Sequence, residues 1–143
     1  MNLSYIKKQL QFWADKKDVL HVKKLLTKED QILVKRKSEE LIQNIFTFDK
    51  PWDMERCQIP YKLETLDWNI QLNDDEEWCF MLNRMDYLNY LVLSDHIEYA
   101  KTLILNWIEA HPTIQPEPST RTLDTGIRLM NFFEALPYLY TNN

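Results

Sequence analysis

The chain has 143 residues, 45% of them hydrophobic and 13% aromatic, with a net charge of −5. That is enough apolar mass for one domain with a real core and excludes a disordered chain, while no apolar run reaches the roughly 18 residues of a membrane span. Residues 1–37 hold ten Lys/Arg against four Asp/Glu and residues 38–143 seven against eighteen, but interleaved Asp15, Asp18, Glu29 and Asp30 make the basic third a solvated helix face rather than a nucleic-acid site.

Met1 to Lys8 shows no apolar segment after a basic start, so no signal peptide is read there. A cytoplasmic location is expected if Met1 is native, and a periplasmic or secreted one if an export signal was trimmed. Leu3, Ile6, Leu10 and Trp13 fall at helical spacing and predict a helix over residues 3–14, followed by a short periodic stretch at 18–26. Thr27, with Asp30 three residues on, predicts a cap for a helix running to about Phe46 and carrying Ile32, Leu33, Ile42 and Ile45.

Residues 47–72 lose any sustained period and contain two prolines, which predicts one long ordered but irregular connection. Trp52, Tyr61 and Trp68 are expected to pin it onto the helices. A helix should then start at Asp74 or Asp75, where a carboxylate suits the positive helix end, and run to about Leu93. Trp78, Met81, Leu82, Met85, Leu88 and Val92 share one face of it, and Phe80, Tyr87 and Leu91 the opposite one. Such a helix is sandwiched between neighbours, and its polar strip of Cys79, Asn83, Asp86 and Tyr90 is placed to line a cleft. Arg84 shares the second apolar stripe, so it needs either an internal carboxylate or an anionic ligand.

Residues 95–110 predict an outer helix with an apolar arc of Ile97, Tyr99, Ala100, Leu103, Ile104, Trp107 and Ile108, ended by His111-Pro112. The last helix should begin near Ser119 or Thr120, with Pro137 ending or kinking it unless Tyr138-Leu139-Tyr140 add a new turn. Arg121, Asp124, Arg128 and Asn131 form its single polar stripe, opposite Leu123, Ile127, Leu129, Met130, Phe133 and Leu136. Two arginines on one face can grip carboxylates or sulfates bidentately, although Asp124 to Arg128 is also the favourable spacing of an ordinary surface pair. Gly126, the only glycine, sits in the apolar arc, where it would let another helix approach.

No nucleophile constellation, glycine-rich phosphate loop, metal cluster or cofactor motif is present, and Cys57 and Cys79 read as small buried side chains. His21, His96 and His111 lie far apart near predicted helix ends, which suits none of them to a catalytic base. The fold class is all-α.

The blocks EEWCFMLNRMDYLNYL, YAKTLILNWIEAHP and RTLDTGIRLMNFFEAL resemble, in order and wording, the amino-terminal helical region of heparinase II/III-like polysaccharide lyases. The resemblance covers roughly residues 59–140. It rests on Pro60, Asp67-Trp68, Glu77-Trp78, Leu82-Asn83-Arg84, Tyr99-Ala100, Trp107-Ile108, Pro112 and Arg121-x-x-Asp124-x-Gly126-Ile127-Arg128. Thr120 stands where the family usually carries tryptophan. The resemblance implies an incomplete α/α toroid-like array, belonging to a protein that cleaves uronate-containing polysaccharides by β-elimination. In that reaction one group neutralises the C5 carboxylate and a Tyr or His removes the C5 proton, from segments beyond those matched here. The chain is therefore expected to supply scaffold and an anionic-sugar contact through Arg84, Arg121, Arg128, Asn83 or Asn131, and to be inactive alone. Its expected partners are an acidic polysaccharide, the remaining carboxy-terminal part of such a lyase, and a second copy through an apolar face that an incomplete toroid leaves open. The competing expectation is a non-enzymatic helical module that binds carbohydrate or protein.

Overall fold

A computed structural model describes residues 3–15, 19–50, 54–72 and 75–141. Seven helices lie among them: α1 (Leu3–Ala14), α2 (Val19–Lys24), α3 (Lys28–Leu41), α4 (Glu77–Arg84), α5 (Leu88–Leu93), α6 (Ile97–Ala110) and α7 (Thr122–Thr141). Strands β1 (Ile45–Phe46) and β2 (Tyr61–Lys62) pair antiparallel, Ile45 opposite Lys62 and Phe46 opposite Tyr61. The protein is thus predominantly α-helical, with one small sheet whose first strand precedes the irregular connection and whose second lies within it. Helix α7 packs against α1, α4 and α5, and α5 also meets α3 and α6.

The start of α3 follows from its sequence. Thr27 Oγ1 accepts from the Asp30 N–H (3.1 Å), and the Asp30 carboxylate accepts from the Thr27 N–H (2.9 Å). Those bonds hold the Asp30 carboxyl below its ordinary value. The helix ends at Leu41, short of the expected Phe46, because Asn44 takes a left-handed conformation at φ 59°, which asparagine tolerates better than most residues. The turn delivers Phe46 into the core, edge-on to Trp78 and Tyr87 at 6.4 and 5.2 Å. The buried face of α3 is Val34, Lys37, Ser38 and Leu41, while Ile32, Leu33 and Ile42 are exposed. The helix turns its semi-polar side inward because Lys37 reaches Asp49 in the connection (2.7 Å) and α5 covers the rest.

Trp68 and Tyr61 do pin the connection. The buried Trp68 indole N–H donates to Asn106 Oδ1 (2.8 Å), and Tyr61 sits edge-on to Trp78 at 5.7 Å. Trp52 and Asp74 lie outside the described residues, as do the side chains of Leu3, Ile6, Trp13 and His21.

The expected helix over 74–93 is two helices. Met85 adopts φ 56°, ψ 32° and divides α4 from α5. A left-handed non-glycine residue costs about 1–2 kcal/mol. Three side-chain donors satisfy the carbonyls at the break: Tyr87 Oη to Leu82 (2.8 Å), Arg128 Nη1 to Asn83 (2.6 Å) and Asn131 Nδ2 to Arg84 (2.9 Å). At about 1 kcal/mol each, and with Met85 fully buried, they outweigh the strain. Both apolar faces expected for this segment are buried, so the sandwiching holds although the continuity does not.

Helix α6 buries Ile97, Ala100, Leu103 and Trp107 but exposes Ile108, so its apolar arc is narrower than expected. Before α7, Pro118–Thr120 form a 3₁₀ turn, and the helix proper begins at Thr122. It continues through Pro137 to Thr141 rather than ending there.

The larger correction concerns which side of α7 faces inward. Asp124 and Arg128 are 0% and 2% exposed, whereas Leu123 and Met130 are 58% and 69% exposed. The polar stripe faces the core and the apolar arc faces out. Gly126 is on the exposed side, and a Cβ built there meets nothing within 4 Å. Among the described residues no helix approaches it, so the role expected for this glycine is overturned.

Candidate functional site

The five residues singled out in sequence, Asn83, Arg84, Arg121, Arg128 and Asn131, come together where the end of α4 meets the first half of α7. The Asp124 carboxylate joins two of them, Arg84 and Arg121. Arg84 Nε donates to Asp124 Oδ1 (2.7 Å), and Arg121 Nε and Nη2 donate to Oδ2 (2.6 Å) and Oδ1 (2.9 Å). The Arg121 guanidinium also lies 3.6 Å over the Phe80 ring. Bonding to Asp124 is the main cause that holds the Arg121 guanidinium above its ordinary value.

Arg128 belongs to a second, fully internal layer. Its guanidinium stacks 3.9 Å over Trp107 and donates to the carbonyls of Asn83 (2.6 Å) and Ser119 (3.2 Å) and to Thr125 Oγ1 (3.0 Å). Burial pushes it down to about 10, partly offset by Asp124. On the other side, Trp107 and His111 stack with ring centres 4.0 Å apart. His111 Nδ1 lies 2.7 Å from the Trp107 carbonyl and Nε2 2.8 Å from Ser119 Oγ. A carbonyl only accepts, so Nδ1 carries a hydrogen. Asn83 is equally committed, donating to the carbonyls of Trp68 (2.7 Å) and Cys79 (2.8 Å) while accepting from the Trp107 indole (2.9 Å).

This geometry corrects the sequence reading of Asn83 and Arg128. Both are buried with their polar atoms engaged inside the protein, so neither is a surface contact for a sugar. The expected surface pair between Asp124 and Arg128 is replaced by pairs from Asp124 to Arg84 and Arg121.

Arg84 and Asn131 do reach a cleft. It has a volume of about 250 Å³, and Phe48, Lys50, Met81 and Asp86 line it with them. Lys50 pairs with Asp86 across it. An adjoining shallow groove shares Phe48, Lys50 and Asp86 and continues to Thr47 and Tyr90. Of the polar strip expected to line a cleft, Asp86 and Tyr90 do so, while Cys79 and Asn83 are in the core. The described lining carries two basic side chains, Arg84 paired with Asp124 and Lys50 paired with Asp86. The Thr47 hydroxyl beside it is buried and has no partner. Sequence reasoning missed Lys50, which sits in the irregular connection with no periodicity to place it; the length of that loop was the only available signal.

No activated nucleophile accompanies the cleft. Burial pushes the Cys79 thiol up to about 12 and holds the Tyr87 phenol well above its ordinary range. Ser119 and His111 form a hydrogen-bonded pair, but both are buried in the Arg128 layer. Among the described residues no cluster of metal-ligating side chains occurs, and no helix is long and apolar enough to cross a membrane. The basic first third is partly neutralised by folding, since Lys23 pairs with Asp95 and Lys37 with Asp49. No family model, curated protein or solved structure matches this chain.

Proposed function

We propose that this chain is the amino-terminal helical domain of a heparinase II/III-like polysaccharide lyase, an incomplete α/α toroid-like array that holds an acidic polysaccharide while other segments perform the β-elimination. The supporting observation is the Arg84–Lys50–Asn131 cleft, where two basic side chains and a side-chain amide line one space. Arg84 is held by Asp124 at Nε and its side chain remains 21% exposed, so the guanidinium is oriented before a ligand arrives. Arg121 remains a partly exposed member of the same network, outside that cleft.

Isothermal titration with an alginate tetrasaccharide tests this reading. Binding that weakens about tenfold in Lys50→Ala, one charge-assisted contact's worth, supports it. Binding unchanged in Lys50→Ala refutes it. The chain alone should release no unsaturated uronate, because the resemblance places the proton-abstracting Tyr or His in segments beyond those matched; ultraviolet absorbance from such a product would refute the scaffold role.

A second reading, a non-enzymatic helical module for a protein partner or a second copy, is favoured by one observation. Leu123, Met130 and Phe133 form an exposed apolar stripe along α7.

A further inference from the structure

A separate cleft of about 330 Å³ lies at the other end of α4, bordered by Arg56, Tyr61, Gln71, Leu72, Asp75 and Trp78. That is the small end of the roughly 300–1,000 Å³ range of ligand sites, room for one ring rather than a chain. Three features give it a chemical character. Tyr61 is 40% exposed and its ring, braced edge-on by Trp78, offers an open aromatic surface. Arg56 and Asp75 pair with each other, so the charges of the described lining residues cancel. Asp75 is further fixed by accepting from the Glu77 N–H (2.9 Å), and Gln71 contributes a carboxamide. The Trp78 indole N–H is buried without a hydrogen-bond partner, which is uncommon enough to need an account.

An aromatic surface beside a fixed guanidinium, carboxylate and carboxamide suits a ring with apolar C–H faces and polar hydroxyl edges. A neutral lining disfavours a charged ring, which would have to displace one partner of the ion pair. Trp78 and Met81 are three residues apart on one face of α4, about 4.5 Å along its axis, and Phe48 meets Trp78 edge-on at 5.2 Å. Met81 and Phe48 line the Arg84 cleft. The two clefts are therefore neighbours, divided by an aromatic pair.

We infer that the Arg56–Tyr61–Trp78 cleft binds a neutral, hydroxyl-rich pyranose and acts as a second saccharide subsite beside the Arg84 cleft. The pairing with an anionic unit rests on the proposed polysaccharide reading; the neutral-sugar site itself does not. A chain alternating uronate and neutral sugar matches both clefts.

The test is a ¹H–¹⁵N NMR titration of the full chain with N-acetylglucosamine and, separately, with a hyaluronan tetrasaccharide, which alternates uronate and N-acetylglucosamine. N-acetylglucosamine should shift the Trp78 indole and Gln71 side-chain signals, and affinity should fall about tenfold in Arg56→Ala and in Tyr61→Ala. The tetrasaccharide should shift those signals together with the Asn131 side-chain amide. Arg56 is half exposed, so its variant keeps the fold if removal of Tyr61 does not. Asn131 moving with the tetrasaccharide while Trp78 and Gln71 move with neither sugar overturns this inference and spares the uronate reading. Trp78 and Gln71 moving while Asn131 stays still supports it and removes the uronate reading. Neither set moving overturns both.

Discussion

Replacing Arg128 by methionine separates a structural arginine from a ligand-binding one. The substitution keeps an unbranched stem as far as the position of Nε and removes the guanidinium. Two carbonyls lose their donor, those of Asn83 (2.6 Å) and Ser119 (3.2 Å), and the stack on Trp107 loses its cation. Each orphaned buried acceptor costs about 1–3 kcal/mol and the desolvated cation–π contact about 1–2 kcal/mol. Against this stands relief of a buried charge. Burial lowers the group from 12.5 to about 10, which at about 1.4 kcal/mol per pKa unit is roughly 3–4 kcal/mol. The losses exceed the relief at the centre of these ranges, leaving a net destabilisation of about 2 kcal/mol. Urea unfolding followed by circular dichroism should show a midpoint about 1 M lower at unchanged slope, and heating a midpoint about 5–10 °C lower. Arg128→Lys should also destabilise, because one ammonium cannot both stack on Trp107 and span the two carbonyls. A surface sugar contact would behave differently, with stability within about 0.5 kcal/mol of the parent and only binding lost. A midpoint equal to or above the parent's for Arg128→Met would refute the capping role.

Two further outcomes follow from burial. Gly126→Ala should stabilise the protein by about 0.5–1 kcal/mol, since the site is an exposed helix interior with free space for a methyl group; destabilisation in urea unfolding would mean that something does pack there. The Cys79 thiol is raised from 9.0 to about 12, so the folded state keeps a proton that the unfolded state has released. Stability fully present below pH 9.0 is therefore lost as pH rises toward 12. Cys79→Ser, whose hydroxyl does not ionise there, should make the alkaline loss shallower by up to one proton, about 1.4 kcal/mol per pH unit. An unchanged slope in unfolding measured across that window would count against it.

The sequence by itself determined the helical character, the capping box at Thr27, the two-sided burial around Trp78 and Leu91, and the demand of Arg84 for a charged partner. These follow from local chemistry: periodicity, a short polar side chain three residues from its partner, and uncommon polar residues on apolar faces. Tertiary structure decided which way those faces point. Periodicity shows that α7 has a polar stripe and an apolar one but does not say which is inside. The inward choice of the polar stripe depends on the left-handed break at Met85, whose freed carbonyls draw Arg128 and Asn131, and on Arg84 and Arg121 converging on Asp124. The break itself has no glycine or proline to announce it. The clefts were equally hidden, because Lys50, Arg56 and Tyr61 come from a connection without period and meet α4 only through folding. Hydrogen-bond demand between distant segments, which a one-dimensional pattern does not carry, therefore fixed both the orientation of α7 and the composition of the clefts.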